Sequence, residues 1–188
     1  MSSLNQRLFL ILSRSDVEGN SSELKNKTIN IGFITCLILM SLIIVFIRTT
    51  FIVHPISGKS MEDTLNNGDW VLIDKRKELK RYAIVAFSDH RNGDLLVKRI
   101  IGQPGDSYII QNNVMILDLG TSNSFQTTIQ IELEKDIANE LRNRTTIPEN
   151  AYFVMGDNVD ISNDSRSFGF VSNKQIEGRM VKVLWSKK

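Results

Sequence analysis

The run Leu95-Leu96-Val97-Lys98-Arg99-Ile100-Ile101-Gly102 is short, apolar and interrupted by two adjacent cations. Val and Ile are stiff at χ1 and suit a pleated backbone, and the run is too short for an ordinary core helix, so it reads as a strand. Side chains alternate across a strand, which places Lys98 with Ile100 on one face and Val97 with Arg99 on the other. A lysine at a half-buried strand position loses hydration, which favours its neutral amine and lowers its pKa from the ordinary value of about 10.4. Such an amine can serve as a general base. From the residues alone the pattern fits better a lysine on an edge strand turned to solvent, the usual fate of lysine in sheets, and the buried base stays open as the second reading.

Moving outward, the same texture recurs. Short apolar runs stand at 69–74, 82–87, 107–111, 151–156 and 179–185, several of them separated by Asn67-Gly68-Asp69, Asn92-Gly93-Asp94 and Pro104-Gly105-Asp106. Runs of this length punctuated by turn residues predict a mainly β domain built of short strands. Leu133, Ile137 and Leu141 recur at four-residue spacing and predict one helix with a single apolar face; a second short helix is expected after Val171, where Ser172, Asn173 and Glu177 supply capping and polar positions.

Residues 28–47 are different in kind, because no charge interrupts them between Lys27 and Arg48. About 20 apolar residues are needed for a helix to cross a hydrocarbon core of ~30 Å, and this run has that length and no polar face. A cleavable signal peptide has a shorter apolar region nearer the N-terminus, so a permanent anchor is expected. Arg7, Arg14, Lys25 and Lys27 precede the span and Arg48 follows it, which favours a cytoplasmic N-terminus. The expected organisation is a cytoplasmic tail at 1–27, a transmembrane helix at 28–48, and an extracytoplasmic domain at 49–188 with a small cap insertion near 107–150. Ile52, Val53, Ile56 and Met61 could rest on lipid or pack internally, and Trp70 and Trp185 could be interfacial or core; the sequence leaves these open.

The 23 basic and 21 acidic residues of the 188-residue chain leave a net charge of +2, which argues against nucleic acid as the main partner. Cys36 is the single cysteine, so an intramolecular disulfide is excluded, and with two histidines beside it a Cys/His zinc cage is nearly so. His54 adjoins a proline beside the anchor and His90 falls in a turn, which makes a Ser-His-Asp triad a poor reading. Two further segments carry candidate chemistry. Ser57-Gly58-Lys59-Ser60-Met61 holds a serine between small and polar neighbours, and a serine needs an adjacent base to become a nucleophile. The stretch from Gly156 to Gly169 gathers Asp157, Asp160, Asp164, Ser162, Ser165 and Arg166; it fits a bland capped turn as well as a site, and it lacks the Glu that closes an EF-hand loop. Asp164 and Arg166 could pair through two parallel hydrogen bonds.

Together these segments resemble the type I signal peptidases, the membrane-bound Ser-Lys endopeptidases of bacteria. Ser60-Met61 with Thr64-Leu65 is similar to the nucleophile box, Lys98 to Gly102 with Pro104-Gly105-Asp106 to the lysine box, and Gly156-Asp157-Asn158 with Ser162, Asp164-Ser165-Arg166 and Gly169 to the third box. The resemblance implies the family's β-fold, shared with LexA-type repressors, and removal of signal peptides from exported preproteins without metal or cofactor. It implies Ser60 as nucleophile, Lys98 as general base and Ser162 as the residue orienting the amine. Asp164 with Arg166, and Asp157 with Arg99, become supporting ion pairs. The Ser60 N–H becomes an oxyanion donor, with Ser57, Gly58 and Met61 in the substrate and oxyanion region. Residues 54–58 and 80–87 are expected to flank a substrate with small side chains one and three positions before the cut. The expected setting is a single-pass protein of the cytoplasmic membrane acting as a monomer.

Three positions depart from the pattern: Asp63 replaces the usual proline, Val159 the usual arginine, and Gly58 removes a second oxyanion donor that some members carry. These departures keep a catalytically silent accessory protein, such as an assembly chaperone, as the alternative. A self-cleaving repressor would need a DNA-binding domain in place of the span.

Overall fold

The structure, a computed structural model, describes residues 31–76, 78–89, 93–120 and 127–186. The chain divides into two compact units, Met1–Thr49 and Thr50–Lys188. The tail at 1–27, the first residues of the predicted span, and His90 lie outside the described residues.

In the first unit, α1 (Ile31–Thr50) is long and apolar enough to cross a membrane, and none of its apolar window is buried. Two of its threonines are satisfied locally. The Thr35 hydroxyl donates to Ile31 O at 2.8 Å and the Thr49 hydroxyl to Phe46 O at 3.0 Å, which hides both from an apolar surrounding.

The second unit is mainly β. Its larger sheet contains β1 (Phe51–Pro55), β2 (Trp70–Asp74), β3 (Ile84–Ser88), β4 (Leu95–Gly102), β8 (Ala151–Met155), β9 (Val171–Ser172) and β10 (Ile176–Trp185), ordered β1-β2-β10-β3-β4-β8-β9. A three-stranded sheet follows the order β5 (Tyr108–Gln111), β6 (Val114–Asp118), β7 (Thr128–Glu132). Two short helices complete it, α2 (Lys135–Leu141) and α3 (Ser165–Phe168). The strands expected from sequence are present, with ends shifted by up to three residues. The edge strand β1 and the strands β6, β7 and β9 were not expected. β1 directly follows the apolar helix and ends in a proline, so its short run carries no separate signal. Leu133 and Leu141 are buried as the helix pattern predicts, although Leu133 lies just outside α2. Beyond Val171 the expected helix is a single 3₁₀ turn, Asn173–Gln175, closed by Ser172 N–H donating to the Gln175 side chain at 2.9 Å.

The larger sheet buries both faces of its centre. Ile84, Ala86 and Val97 pack with Ile56, Met61, Leu65, Val71 and Ile73. On the other face Val85, Phe87 and Ile100 pack with Val154 and Val171, and Leu96 lies against them. This sorts β4 by parity as alternation requires. Ile56 and Met61 are core residues, whereas Val53, Trp70 and Trp185 are exposed. Trp70 pairs across the strands with Trp185 on one side and Pro55 on the other.

β4 has one feature that shapes the site. It pairs with β3 along Leu95–Arg99, but with β8 only at Arg99, Ile100 and Gly102. Among the described residues, no strand pairs with the second edge of β4 from Leu95 to Lys98.

Candidate active site

Ser60 opens a tight turn. Glu62 N–H donates to Lys59 O at 3.0 Å, and Thr64 and Leu65 N–H donate to Met61 O at 3.1 and 2.7 Å. Met61 and Leu65 are buried in the core and hold that turn against the sheet. The Ser60 carbonyl accepts the Asn158 N–H at 3.1 Å, tying the Ser60 segment to the segment from Gly156 to Gly169. Gly156 permits this approach: a Cβ there would collide with both the Ser60 carbonyl and the Ser162 hydroxyl.

Lys98 reaches Ser60 from the middle of β4. It is 4% exposed, and its Nζ is hydrogen-bonded to Ser60 Oγ at 2.6 Å. Burial pushes the Lys98 amine below its ordinary pKa, against the smaller upward pull of Asp164 and Asp157. The face assigned by alternation holds, and of the two environments open to Lys98 the buried one is realised.

Two ion pairs brace this contact. Asp164 is fully buried and caps α3; its carboxylate accepts Arg166 Nε at 2.8 Å, Arg166 Nη2 at 3.0 Å and the Gly156 N–H at 3.0 Å. Arg166 Nη2 also donates to Val159 O at 2.7 Å and Ser162 O at 3.2 Å. Arg99 grips Asp157 through Nε–Oδ1 at 2.8 Å and Nη2–Oδ2 at 2.7 Å. It further donates to Tyr82 O at 2.8 Å and Thr64 Oγ1 at 3.1 Å, so it joins four segments. Burial raises the Asp157 pKa, but the hydrogen bonds from Arg99 and Thr64 and the charge of Arg99 outweigh it and leave a net lowering.

The Ser162 hydroxyl differs from expectation. It is buried beside Gly156 and has no hydrogen-bond partner, while the Lys98 amine is turned to Ser60. The fold brings Ser162 to the site without the hydrogen bond to Lys98 that the resemblance implies.

The departures gain physical reasons. Asp63 has φ +87°, a left-handed conformation that proline cannot adopt with its φ near −65°. Val159 is exposed and serves through its backbone carbonyl, so its side chain is free to vary. Gly58 has φ +88° and nothing within 4 Å of a built Cβ, so its backbone and not its surroundings calls for glycine.

A cleft of about 370 Å³ adjoins the dyad, lined on one side by residues 54–57, on the other by 94–98, with Ser60 and Met61 between. Ser57 and Met61 therefore line it as expected, but residues 80–87 do not. Its second half, 84–87, lies in β3, hydrogen-bonded on both edges to β4 and β10, which leaves that strand no edge to offer a peptide. His54, peripheral in the sequence reading, lines the cleft, and burial lowers its pKa. Sequence reasoning also missed a third pair: Arg81 and Asp106 meet at 2.7 and 2.8 Å, and Arg81 donates to Ile101 O at 2.8 Å, fastening the far end of β4. The Pro-Gly-Asp turn was the available signal for Asp106; Arg81 carried none. Among the described residues, no three His, Cys, Asp or Glu side chains gather as metal ligands do.

A buried lysine thus lies hydrogen-bonded to a serine beside an open strand edge. Comparison with known proteins gives the family. The family model for signal peptidase, peptidase S26, matches residues 30–185. Signal peptidase IB of Staphylococcus aureus is 31% identical over 165 residues, covering 79% of this chain and 86% of that protein. Signal peptidase I P of Bacillus subtilis subsp. natto is 33% identical over 154 residues, covering 75% and 82%. The crystal structure of a signal peptidase I from Enterococcus faecalis V583 is 29% identical, with a TM-score of 0.39, covering 56% of this chain and 98% of that one. The chain belongs to the signal peptidase, peptidase S26 family. It is a serine peptidase of the signal peptidase I type, acting on the signal peptides of preproteins, and the silent accessory reading is not favoured.

Proposed function

We propose that Ser60 and Lys98 are the catalytic dyad, and the 2.6 Å contact between a buried lysine and the serine hydroxyl carries the assignment. The neutral Lys98 amine takes the Ser60 proton as Oγ attacks the scissile carbonyl. The oxyanion meets the Ser60 N–H, the usual electrostatic core of acyl transfer. Collapse of the tetrahedral intermediate breaks the C–N bond, and Lys98 returns the proton to the leaving amine. A water deprotonated by Lys98 then attacks the acyl carbon, the bond to Ser60 Oγ breaks, and Lys98 returns the proton to Ser60 Oγ. The buried, unpartnered Ser162 hydroxyl supplies a partner for the amine when acylation takes Ser60 Oγ away. Asp164 with Arg166 and Asp157 with Arg99 hold the two segments that meet at the dyad. The substrate adds as an extended strand to the open edge of β4 at Leu95–Val97, opposite residues 54–57, with Ser57 and Met61 beside its small residues and Gly58 in the loop beneath.

The anchor completes the reading. α1 spans the cytoplasmic membrane once, with the N-terminus inside and the catalytic unit, working as a monomer, outside. Val53, Trp70 and Trp185 form an exposed apolar strip whose indole rings suit a lipid headgroup boundary. Tethering keeps enzyme and cleavage site in one plane and raises effective concentration.

The test is incubation of the detergent-solubilised full chain, beside Ser60→Ala, with a preprotein carrying an Ala-X-Ala site, read by mass spectrometry. Cleavage after the second Ala, abolished in the variant, is the expected result. A Ser60→Ala variant that still cleaves would overturn the nucleophile assignment.

A further inference from the structure

The loop carrying Ser60 is held from one side by a turn that the dyad does not include. Residues 56–58 lie against residues 67–69. Ile56 N–H donates to Asp69 O at 2.7 Å, Gly68 N–H donates to Ile56 O at 2.8 Å, and Gly58 N–H donates to the Asn67 side-chain Oδ1 at 3.0 Å. The turn itself is stiff. Asp69 is 2% exposed; its carboxylate accepts Asn66 N–H and the Ser186 hydroxyl, each at 2.9 Å, and its N–H donates to Asn66 O at 3.1 Å. Asn67 thus projects its amide from a fixed base.

The third of these bonds bears on catalysis. The Gly58 N–H sets the plane of the Ser57–Gly58 peptide, and Gly58 holds φ +88°, two residues before Ser60. A left-handed residue there redirects the chain, so the heading of the Ser60 N–H and hydroxyl depends on how firmly that turn is held. Because the Gly58 N–H is engaged by Asn67, it is not available to an oxyanion.

We propose that Asn67 is a positioning residue, which by accepting the Gly58 N–H locks the turn that aims the Ser60 N–H and hydroxyl at the scissile carbonyl. This rests on the dyad reading above. A misaimed donor weakens the transition state more than substrate binding, so the loss falls on kcat and not on KM.

The experiment uses the full chain in detergent, with Asn67→Leu, Asn67→Ala, Asn67→Asp and Ser60→Ala side by side. Each is measured for kcat and KM on a peptide with an Ala-X-Ala site, for affinity toward a peptide aldehyde, which forms a tetrahedral adduct on the serine, and for thermal unfolding. Asn67→Leu and Asn67→Ala are expected to lose about tenfold or more in kcat, with KM within about twofold, and to bind the aldehyde correspondingly less tightly. Asn67→Asp keeps an acceptor oxygen and is expected to recover most of kcat. If Asn67→Leu fails to fold, Asn67→Ala carries the measurement. Wild-type kcat in both apolar variants, or a loss that Asp does not restore, overturns the proposal. Activity surviving in Ser60→Ala would instead sink the dyad reading, so the two failures are distinguishable.

Discussion

Lys98 and Arg99 are neighbours in sequence and cations in composition, yet the two faces of β4 treat them in opposite ways. Lys98 enters the face of Leu96 and Ile100, is almost fully buried, and meets a serine hydroxyl at 2.6 Å. Its amine is pushed toward neutrality because burial outweighs the two carboxylates near it. Arg99 enters the other face, half-buried, and meets Asp157 through two parallel bonds. Its pKa is pushed up, first by the hydrogen bond to Asp157. One strand therefore buries an amine pushed toward neutrality on one side and forms an ion pair on the other. Desolvation without a direct carboxylate partner lowers a cation's pKa; desolvation with a bidentate one does not. The residue types suit the roles, since an ammonium yields its proton when buried and a guanidinium does not.

The sharpest break is Lys98→Met. We expect kcat/KM to fall by roughly 10³-fold or more, as when a base is removed from a serine hydrolase. The folded pKa of Lys98 lies below its unfolded value, so burial of this amine costs stability below the unfolded pKa, and the cost grows as pH falls toward the folded pKa. Lys98→Met should therefore unfold at a Tm no lower than wild type, with an advantage that grows as pH falls from the unfolded to the folded pKa and then levels off. A large drop in Tm would contradict the idea that the lysine is held at a cost.

Asp157→Asn acts on the other face and reaches across. Loss of the charged pair should destabilise the catalytic unit by about 1–3 kcal/mol, read as a Tm several degrees lower. The folded pKa of Asp157 is depressed, so its contribution is present above the ordinary carboxylate value near 3.8 and fades as pH falls through the folded value. The Tm difference between variant and wild type should shrink at the lowest pH. Asp157 also raises the Lys98 pKa, so its removal should move the acid limb of kcat/KM to lower pH. A limb that stays in place would mean that the two faces are electrostatically independent.

The smallest effect is expected at Tyr82, whose carbonyl accepts from Arg99 Nη1. Tyr82 is exposed and has φ +65°, a left-handed conformation that costs an L-residue roughly 1–2 kcal/mol. Tyr82→Gly relieves that strain but loosens the unfolded chain, for a net stabilisation of about 1 kcal/mol or less. Thermal unfolding at pH 7 measures it, and a clear loss of stability would show that the aromatic ring makes a contribution of its own.

Much of this was legible beforehand because it is local. The β class followed from runs of Val and Ile between turn residues, and the apolar helix from one uninterrupted stretch. The parity of Lys98 and Arg99 followed from alternation alone. The strands β6 (Val114–Asp118) and β7 (Thr128–Glu132) carry strand-like composition but fall inside the segment expected only as a small cap insertion, whereas β1 and β9 are short runs defined by their pairing partners. Asp63 looked like a weakness when read against a proline, yet its positive φ makes proline impossible there. Residues 80–87, which the resemblance placed beside the substrate, are not among the residues that line the cleft.

By itself, then, the sequence determined which residues could form strands, where an anchor could lie, and which side chains were chemically able to act. The tertiary structure alone decided that Lys98 is buried and not solvated, and it supplied the contacts that the resemblance had only implied, with a serine 38 positions away and a carboxylate 58 positions from Arg99. Propensity and alternation are properties of adjacent residues. Desolvation and ion pairing are set by whatever the fold packs against a side chain, and those groups come from distant parts of the chain.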